Sequence, residues 1–158
     1  MIAVIQRVKN ASVVSNGVLT GKCGKGLAIL LGVARGDSKE DADLLAAKIS
    51  KLRIFTDENG KMNLSVNDVR GDIIVVSQFT LLADYSHGNR PDYFNAAPPD
   101  TADPLYEYFK EKLASLIAGN VSSGVFGASM IYEIINEGPV TIVMDSAVLR
   151  KNKTKEPS

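Results

Sequence analysis

Ile73-Ile74-Val75-Val76-Ser77-Gln78-Phe79-Thr80-Leu81 is the stretch whose reading decides the fold. Gly71-Asp72 opens it, and four β-branched residues follow without a break. A continuous apolar run of this length, bounded by a turn signal, reads as a strand buried on both faces. The composition then changes to hydroxyls and an amide. Polar groups at the end of a buried strand must be paired or put to use, because leaving them unpaired is costly. Ser77, Gln78 and Thr80 therefore begin either a polar loop or a site.

Outward from this strand, Gly26 to Val33 is a second unbroken apolar run and a second central strand. Met1 to Val8 alternates, with Ile2, Val4, Gln6 and Val8 on one face. Ala11–Ser15 and Val18–Thr20 flank Asn16-Gly17, a dipeptide suited to a type I′ hairpin turn. Ser38 with Asp41 three residues on resembles a capping box, and Ala42, Leu45, Ala46, Ile49 and Leu52 form one helical stripe. Arg53-Ile54-Phe55 reads as a short strand and Asp57–Gly60 as a turn. Lys61 to Val66 is expected to be irregular or a short edge.

The loop from Ala83 to Asp103 carries Gly88, Pro91, Pro98 and Pro99, and a loop this long is commonly functional or disordered. Asp103-Pro104 is expected to open a second helix, with proline at its first position. Leu105, Phe109, Leu113, Leu116 and Ile117 would be its buried stripe, with Gly119-Asn120 at its end. Ile131–Ile135 and Val140–Met144 read as the last strands. The expected architecture is mixed α/β. It is a strongly curved, largely antiparallel, barrel-like sheet system with two long helices packed on one side. Residues 1–146 form one domain, and the basic polar tail 147–158 is expected to be disordered.

Composition removes several classes of function. The 158 residues carry 18 basic and 18 acidic side chains, so no global field favours nucleic acid, although a local basic patch remains open. Cys23 is the only cysteine and His87 the only histidine. That leaves no internal disulfide and no Cys/His zinc site, and no metal or cofactor is expected. No apolar run approaches the roughly 20 residues that span a bilayer, and the N-terminal residues lack the pattern of a signal peptide. A cytoplasmic protein without a membrane partner is the expectation. Gly24-Lys25-Gly26 lacks the spacing of a phosphate-binding loop, and Gly32–Gly36 is no dinucleotide fingerprint. Any Ser-His-Asp chemistry would have to use His87, in a polar loop. Cys23 reads as a small filler near a turn.

Asn136-Glu137-Gly138-Pro139-Val140-Thr141 is the second informative stretch. Proline lacks an N–H and fits poorly inside a sheet. Between two strand-like runs, Gly138-Pro139 is either a hairpin turn or a rigid backbone wedge. Sequence does not separate a cis from a trans bond.

Ser77-Gln78-Phe79-Thr80 and Asn136–Thr141, in this order, resemble the D-aminoacyl-tRNA deacylase family, also called D-tyrosyl-tRNA deacylases. Ile5–Val8, Leu52–Phe55, Gly88-Asn89-Arg90-Pro91 and Gly124–Gly127 add four further matches in register. The resemblance runs from Met1 to Ser146. It implies a hydrolase that cleaves the ester of D-aminoacyl-tRNA and of mischarged glycyl-tRNA, working as a homodimer with the site at the subunit interface. Ser77, Gln78, Phe79 and Thr80 would line one wall. Gly138-Pro139, as a cis step, would enter the partner's pocket and exclude side chains of L configuration, with Arg7 as a brace. Ala102, Phe126 and Met130 would surround the terminal adenosine and aminoacyl group.

Two chemical routes remain. Thr80 could act as a nucleophile, although no base lies beside it in sequence. Alternatively water attacks, helped by the tRNA 2′-hydroxyl, while N–H groups near Phe79 and Thr80 hold the oxyanion. The second is favoured, with Thr80 positioning substrate. The rival classes are a non-catalytic RNA-binding module and a general esterase using His87. Lys48, Lys51, Lys110 and Lys112 are candidate phosphate contacts under either tRNA reading.

Overall fold

The computed structural model describes residues 1–153. Its organising element is β1 (Ile2–Ser15), a strand of 14 residues that shares its edges with three others. On one side, Ile2–Val8 pairs antiparallel with β3 (Gly26–Gly32) and Ala11–Ser15 pairs antiparallel with β2 (Val18–Cys23). On the other side β1 pairs antiparallel with β8 (Met130–Asp145), from Ile2 opposite Asp145 to Ser15 opposite Met130. The sheet continues from β3 in parallel to β6 (Asp72–Ser77) and from β6 in parallel to β7 (Val121–Ser123). A separate small ribbon joins β4 (Phe55–Thr56) to β5 (Met62–Leu64).

The sheet curls until β2 approaches β7. The Ser122 hydroxyl donates to the Lys22 carbonyl at 2.8 Å. A Cβ on Gly21 would lie 2.6 Å from the Ser123 carbonyl oxygen, so the near-closed seam requires glycine there. The result is the mixed α/β, barrel-like fold expected from sequence.

Period-2 alternation divides the central strands between two cores. Val8, Ala11, Val13, Ala28, Ile74 and Val76 fill the barrel interior with Cys23. Burial pushes the Cys23 thiol up to about 11, so it stays protonated and serves as packing. Leu27, Ile29, Leu31, Ile73 and Val75 face outward onto α1 (Lys39–Ser50) and α2 (Pro99–Leu116). Tyr106, Phe109, Leu45 and Ile49 complete that layer at 1% exposure or less, each contributing about 1.5–3 kcal/mol by burial. The central strands thus read as continuous apolar runs because both faces are covered.

Four local expectations change. Gly138-Pro139 is no hairpin turn: the strand-like runs on either side pair with successive parts of β1 and belong to one strand. The expectation of two last strands becomes β8 alone. The second helix opens at Pro99, with Pro98 as its N-cap, rather than at Asp103-Pro104. Pro99 takes the first-turn position where a missing N–H costs nothing, and Pro104 lies inside the helix. β7 is an additional strand, whereas the short edge expected within Lys61–Val66 is β5.

The fourth change concerns the basic tail. Residues 146–153 form α3 (Ser146–Lys153), so the expected disorder from 147 does not hold there, and 154–158 lie outside the described residues. A buried carboxylate anchors this helix. Asp41 accepts from the Ser146 hydroxyl at 2.7 Å and pairs with Arg150, while its other oxygen accepts the Ser38 N–H at 2.8 Å in the capping box.

Burial alone would raise the Asp41 carboxyl, but the bonds from Ser38, Ser146 and Arg150 outweigh it and hold the group below its ordinary value. Its contribution is therefore complete above the ordinary carboxylate range and is lost as pH falls through the depressed folded-state value. Asp41→Asn should lose on the order of 1–3 kcal/mol at neutral pH, and the gap from wild type should close in acid, as measured by urea denaturation across pH.

Candidate active site

Where the parallel strands β3 and β6 end, the chain leaves a cavity of about 630 Å³. The position follows from β7 stopping early: its pairing with β6 ends at Val75 opposite Ser123. Leu31 and Val33 line the cavity from the end of β3 and its continuation, and Val76, Ser77 and Gln78 from the end of β6 and the residue after it. Pro98, Ala102 and Tyr106 come from the start of α2, and Phe126, Met130 and Tyr132 from the β7–β8 connection and β8. Ligands of sheets with parallel strands commonly sit beyond the carboxyl ends of those strands.

The floor carries two phenols. Tyr106 donates its hydroxyl to the Val75 carbonyl at 2.9 Å, and Tyr132 donates to the Ile74 carbonyl at 3.3 Å. Burial raises both phenols well above their ordinary range. Sequence reasoning missed this pair. Tyr106 adjoins the helical stripe and Tyr132 lies within a strand, so each reads as core, and only the fold shows both meeting one strand.

At the mouth, Gln78 is followed by a 3₁₀ turn, Phe79–Leu82. The Gln78 N–H reaches back to the Leu31 carbonyl at 2.8 Å and fixes the start of that turn. Phe79 is 58% exposed and meets Tyr93 edge-to-face, with ring centroids 5.0 Å apart. Ser77, Gln78 and Phe79 line the cavity; Thr80 is exposed beside it, outside the lining. The Thr80 hydroxyl accepts a short hydrogen bond from the Gln78 amide, and among the described residues no acidic or imidazole group bonds to it. The Phe79 and Thr80 N–H groups lead the turn and have no acceptor among the described residues, as expected of first-turn amides.

The structure thus brings together Ser77, Gln78, Phe79, Ala102, Phe126 and Met130. Arg7, Gly138 and Pro139 do not line this chain's own cavity. They form a second assembly, where β1 and β8 lose register. Gln6 faces Thr141 and Val8 faces Asn136, so Arg7 alone stands opposite Glu137–Val140. This is an extended bulge, a device that re-aims a strand locally.

Arg7 is only 9% exposed and fills the gap. Its Nε donates to the Glu137 carbonyl at 3.2 Å and its Nη1 to the Ile54 carbonyl at 2.8 Å. Asn136 closes the other side, donating from Nδ2 to the Val140 carbonyl at 3.1 Å. The Gly138-Pro139 bond is cis and both residues are exposed. Gly138 has φ +124°, and a Cβ there would lie 3.0 Å from Arg7 Nη2. Both facts require glycine.

The rival candidates fall elsewhere. His87 is exposed in the loop after Asp84 and does not line the cavity. Lys110 is engaged by Glu107 at 2.8 Å and by the Ser123 hydroxyl, and Lys112 lies 3.6 Å from Asp43. Lys48 and Lys51 are exposed at the end of α1, away from the cavity lining. Among the described residues no cluster of three or more His, Cys, Asp or Glu could hold a metal, and no helix is long and apolar enough to cross a membrane.

The family model for D-Tyr-tRNA(Tyr) deacylase matches residues 4–145. This chain belongs to that family. As a deacylase it is a hydrolase acting on ester bonds, in translation quality control. A protein of Akkermansia muciniphila named D-aminoacyl-tRNA deacylase is 55% identical over 146 residues, covering 92% of this chain and 97% of the relative. The protein of that name from Dictyoglomus turgidum is 50% identical over 156 residues, 99% of each. Among solved structures, one titled c-Myc DNA Unwinding Element Binding Protein superposes with TM-score 0.86 at 39% identity, over 92% of this chain and 98% of that one. A structure titled as a probable eukaryotic D-amino acid tRNA deacylase has TM-score 0.76 at 18% identity, over 91% and 98%, and shares the deacylase fold.

Arg7→Met keeps the length of the side chain and removes its donors, leaving the Glu137 and Ile54 carbonyls unmatched. It should lower the free energy of unfolding by about 2–3 kcal/mol, whereas Thr80→Ala at an exposed site should change it by less than about 0.5 kcal/mol, both read from urea titrations.

Proposed function

We propose that this deacylase hydrolyses the ester between a D-amino acid and the terminal ribose of tRNA, with mischarged glycyl-tRNA as a second substrate. The observation that carries this reading is the family match from 4 to 145, which spans every residue lining the cavity. The lining is mostly apolar, suited to an adenosine with its aminoacyl group. Ala102, Phe126 and Met130 would surround that group, and Ser77, Gln78 and Phe79 would form the wall beside the reacting ester.

In this reading the protein acts as a homodimer, and Gly138-Pro139 of one copy enters the cavity of the other. Three features support it. The pair is exposed and held by Arg7 and Asn136. It does not line its own chain's cavity. It also lies on β8, which pairs only with β1 among the described residues and exposes Ile131 at 75% and Val143 at 70%. An open strand edge with an apolar face is a template for a second chain. A braced backbone selects by rejection: an L side chain meets main chain that cannot swing aside, and glycine offers nothing to reject.

Attack by water, assisted by the tRNA 2′-hydroxyl, fits the mouth better than attack by Thr80. The Thr80 hydroxyl is tied to Gln78, and no base among the described residues reaches it. The unmatched Phe79 and Thr80 N–H groups are suited to the oxyanion. The site would work without a metal or cofactor, in the cytoplasm.

Purified protein incubated with D- and L-tyrosyl-tRNA should release tyrosine from the D ester alone and sediment at twice 16.9 kDa. Thr80→Ala should keep its rate within about tenfold of wild type; loss of a nucleophile costs far more. An acyl group trapped on Thr80 would overturn the water route. Hydrolysis of neither ester would favour the binding-module reading, and hydrolysis of both would favour a general esterase.

A further inference from the structure

Among the described residues lining the cavity, Arg35 alone is charged, and the proposed ester chemistry does not use it. Its backbone is pinned, with the Arg35 N–H donating to the Asn95 carbonyl at 2.9 Å and Ala34 bridging to Ala96. Its side chain is aimed as well. Nε donates to the Phe94 carbonyl at 2.5 Å, and the guanidinium carbon sits 4.8 Å from the centre of the Phe94 ring. The two terminal nitrogens keep no hydrogen-bond partner among the described residues, and the residue is exposed at the rim. An arginine held through Nε and ring face, with its outer fork free, is prepared to grip an oxyanion in two places.

The deacylase reading, on which this inference rests, brings one such anion to the rim. A terminal adenosine seated in an apolar cavity has a single phosphate directly attached, on its ribose 5′-oxygen. From Arg35's place at the rim we infer that it binds the phosphate 5′ of the terminal adenosine. It thereby separates the end of a polynucleotide from a free nucleoside ester. Phe94 positions it. The contact involves no bond making, so it acts on binding and leaves the ester chemistry to the mouth.

The test uses two small esters, D-tyrosyl adenosine and D-tyrosyl adenosine 5′-monophosphate, compared by kcat/KM with the full-length protein. Wild type should prefer the phosphorylated ester by about tenfold, chiefly through KM, and added salt should shrink the preference. Arg35→Gln should bring the ratio near one, and Arg35→Lys should restore part of it. Melting temperatures of the variants should match wild type, since the residue is exposed. A wild-type ratio of one would overturn the inference while leaving the deacylase reading intact. So would a preference that survives Arg35→Gln, because the phosphate would then be read elsewhere. Hydrolysis of D-tyrosyl-tRNA with no turnover of either small ester would refute the contact as drawn, and inactivity on all three would remove the deacylase reading itself.

Discussion

The pairing of β1 with β8 is the constraint on which the rest depends. Two strands run antiparallel from end to end, yet one residue of β1 stands opposite four of β8. Left alone, such a mismatch would strip backbone groups of partners in a partly buried place. Arg7 donates from Nε to the Glu137 carbonyl, two residues before the proline that carries no N–H, and from Nη1 to the Ile54 carbonyl outside the ladder. The sheet therefore continues past an interruption that would end an ordinary strand. The exposed residues of that interruption are held from Arg7 on one side and Asn136 on the other.

The same sheet makes the cavity by what it omits. β7 is only three residues long, so β6 outruns it, and the space beyond is closed by α2 and by the start of β8. The two regions of the proposed site thus lie on different strands of one sheet, and in a single copy Gly138 and Pro139 do not line the cavity. A wall at the end of β6 and an obstacle on β8 are parts of one device only if a second copy joins them. This makes assembly a condition of selectivity in the proposed function, with consequences for how dilution would affect the enzyme.

Much of this was legible in the sequence, and the failures share a cause. The Ile73–Val76 run, the Ser38 capping box and the Asn16-Gly17 turn are local signals, and each stands where local chemistry places it. Gly138-Pro139 is also a local signal, but its partner Arg7 lies 130 residues away, so punctuation was read where a strand continues. α3 looked like a solvated basic tail because the carboxylate that anchors it is Asp41, on another helix. At α2, three prolines competed for one boundary, and the choice of Pro104 over Pro99 placed the start late. Within the site, the Ser77–Phe79 wall could be anticipated from polar residues ending a buried strand. Arg35 and the two floor tyrosines could not, because nothing in their own neighbourhoods distinguishes them from surface and core.

The floor tyrosines have a quieter effect. Each donates its hydroxyl hydrogen bond to a main-chain carbonyl, and burial raises both phenols well above their ordinary range, so both keep their protons. The two phenols therefore stay neutral, and their hydroxyl protons are already engaged. Under the proposed function, such a surface would leave the choice of hand to the entrance and place little demand on which side chain enters.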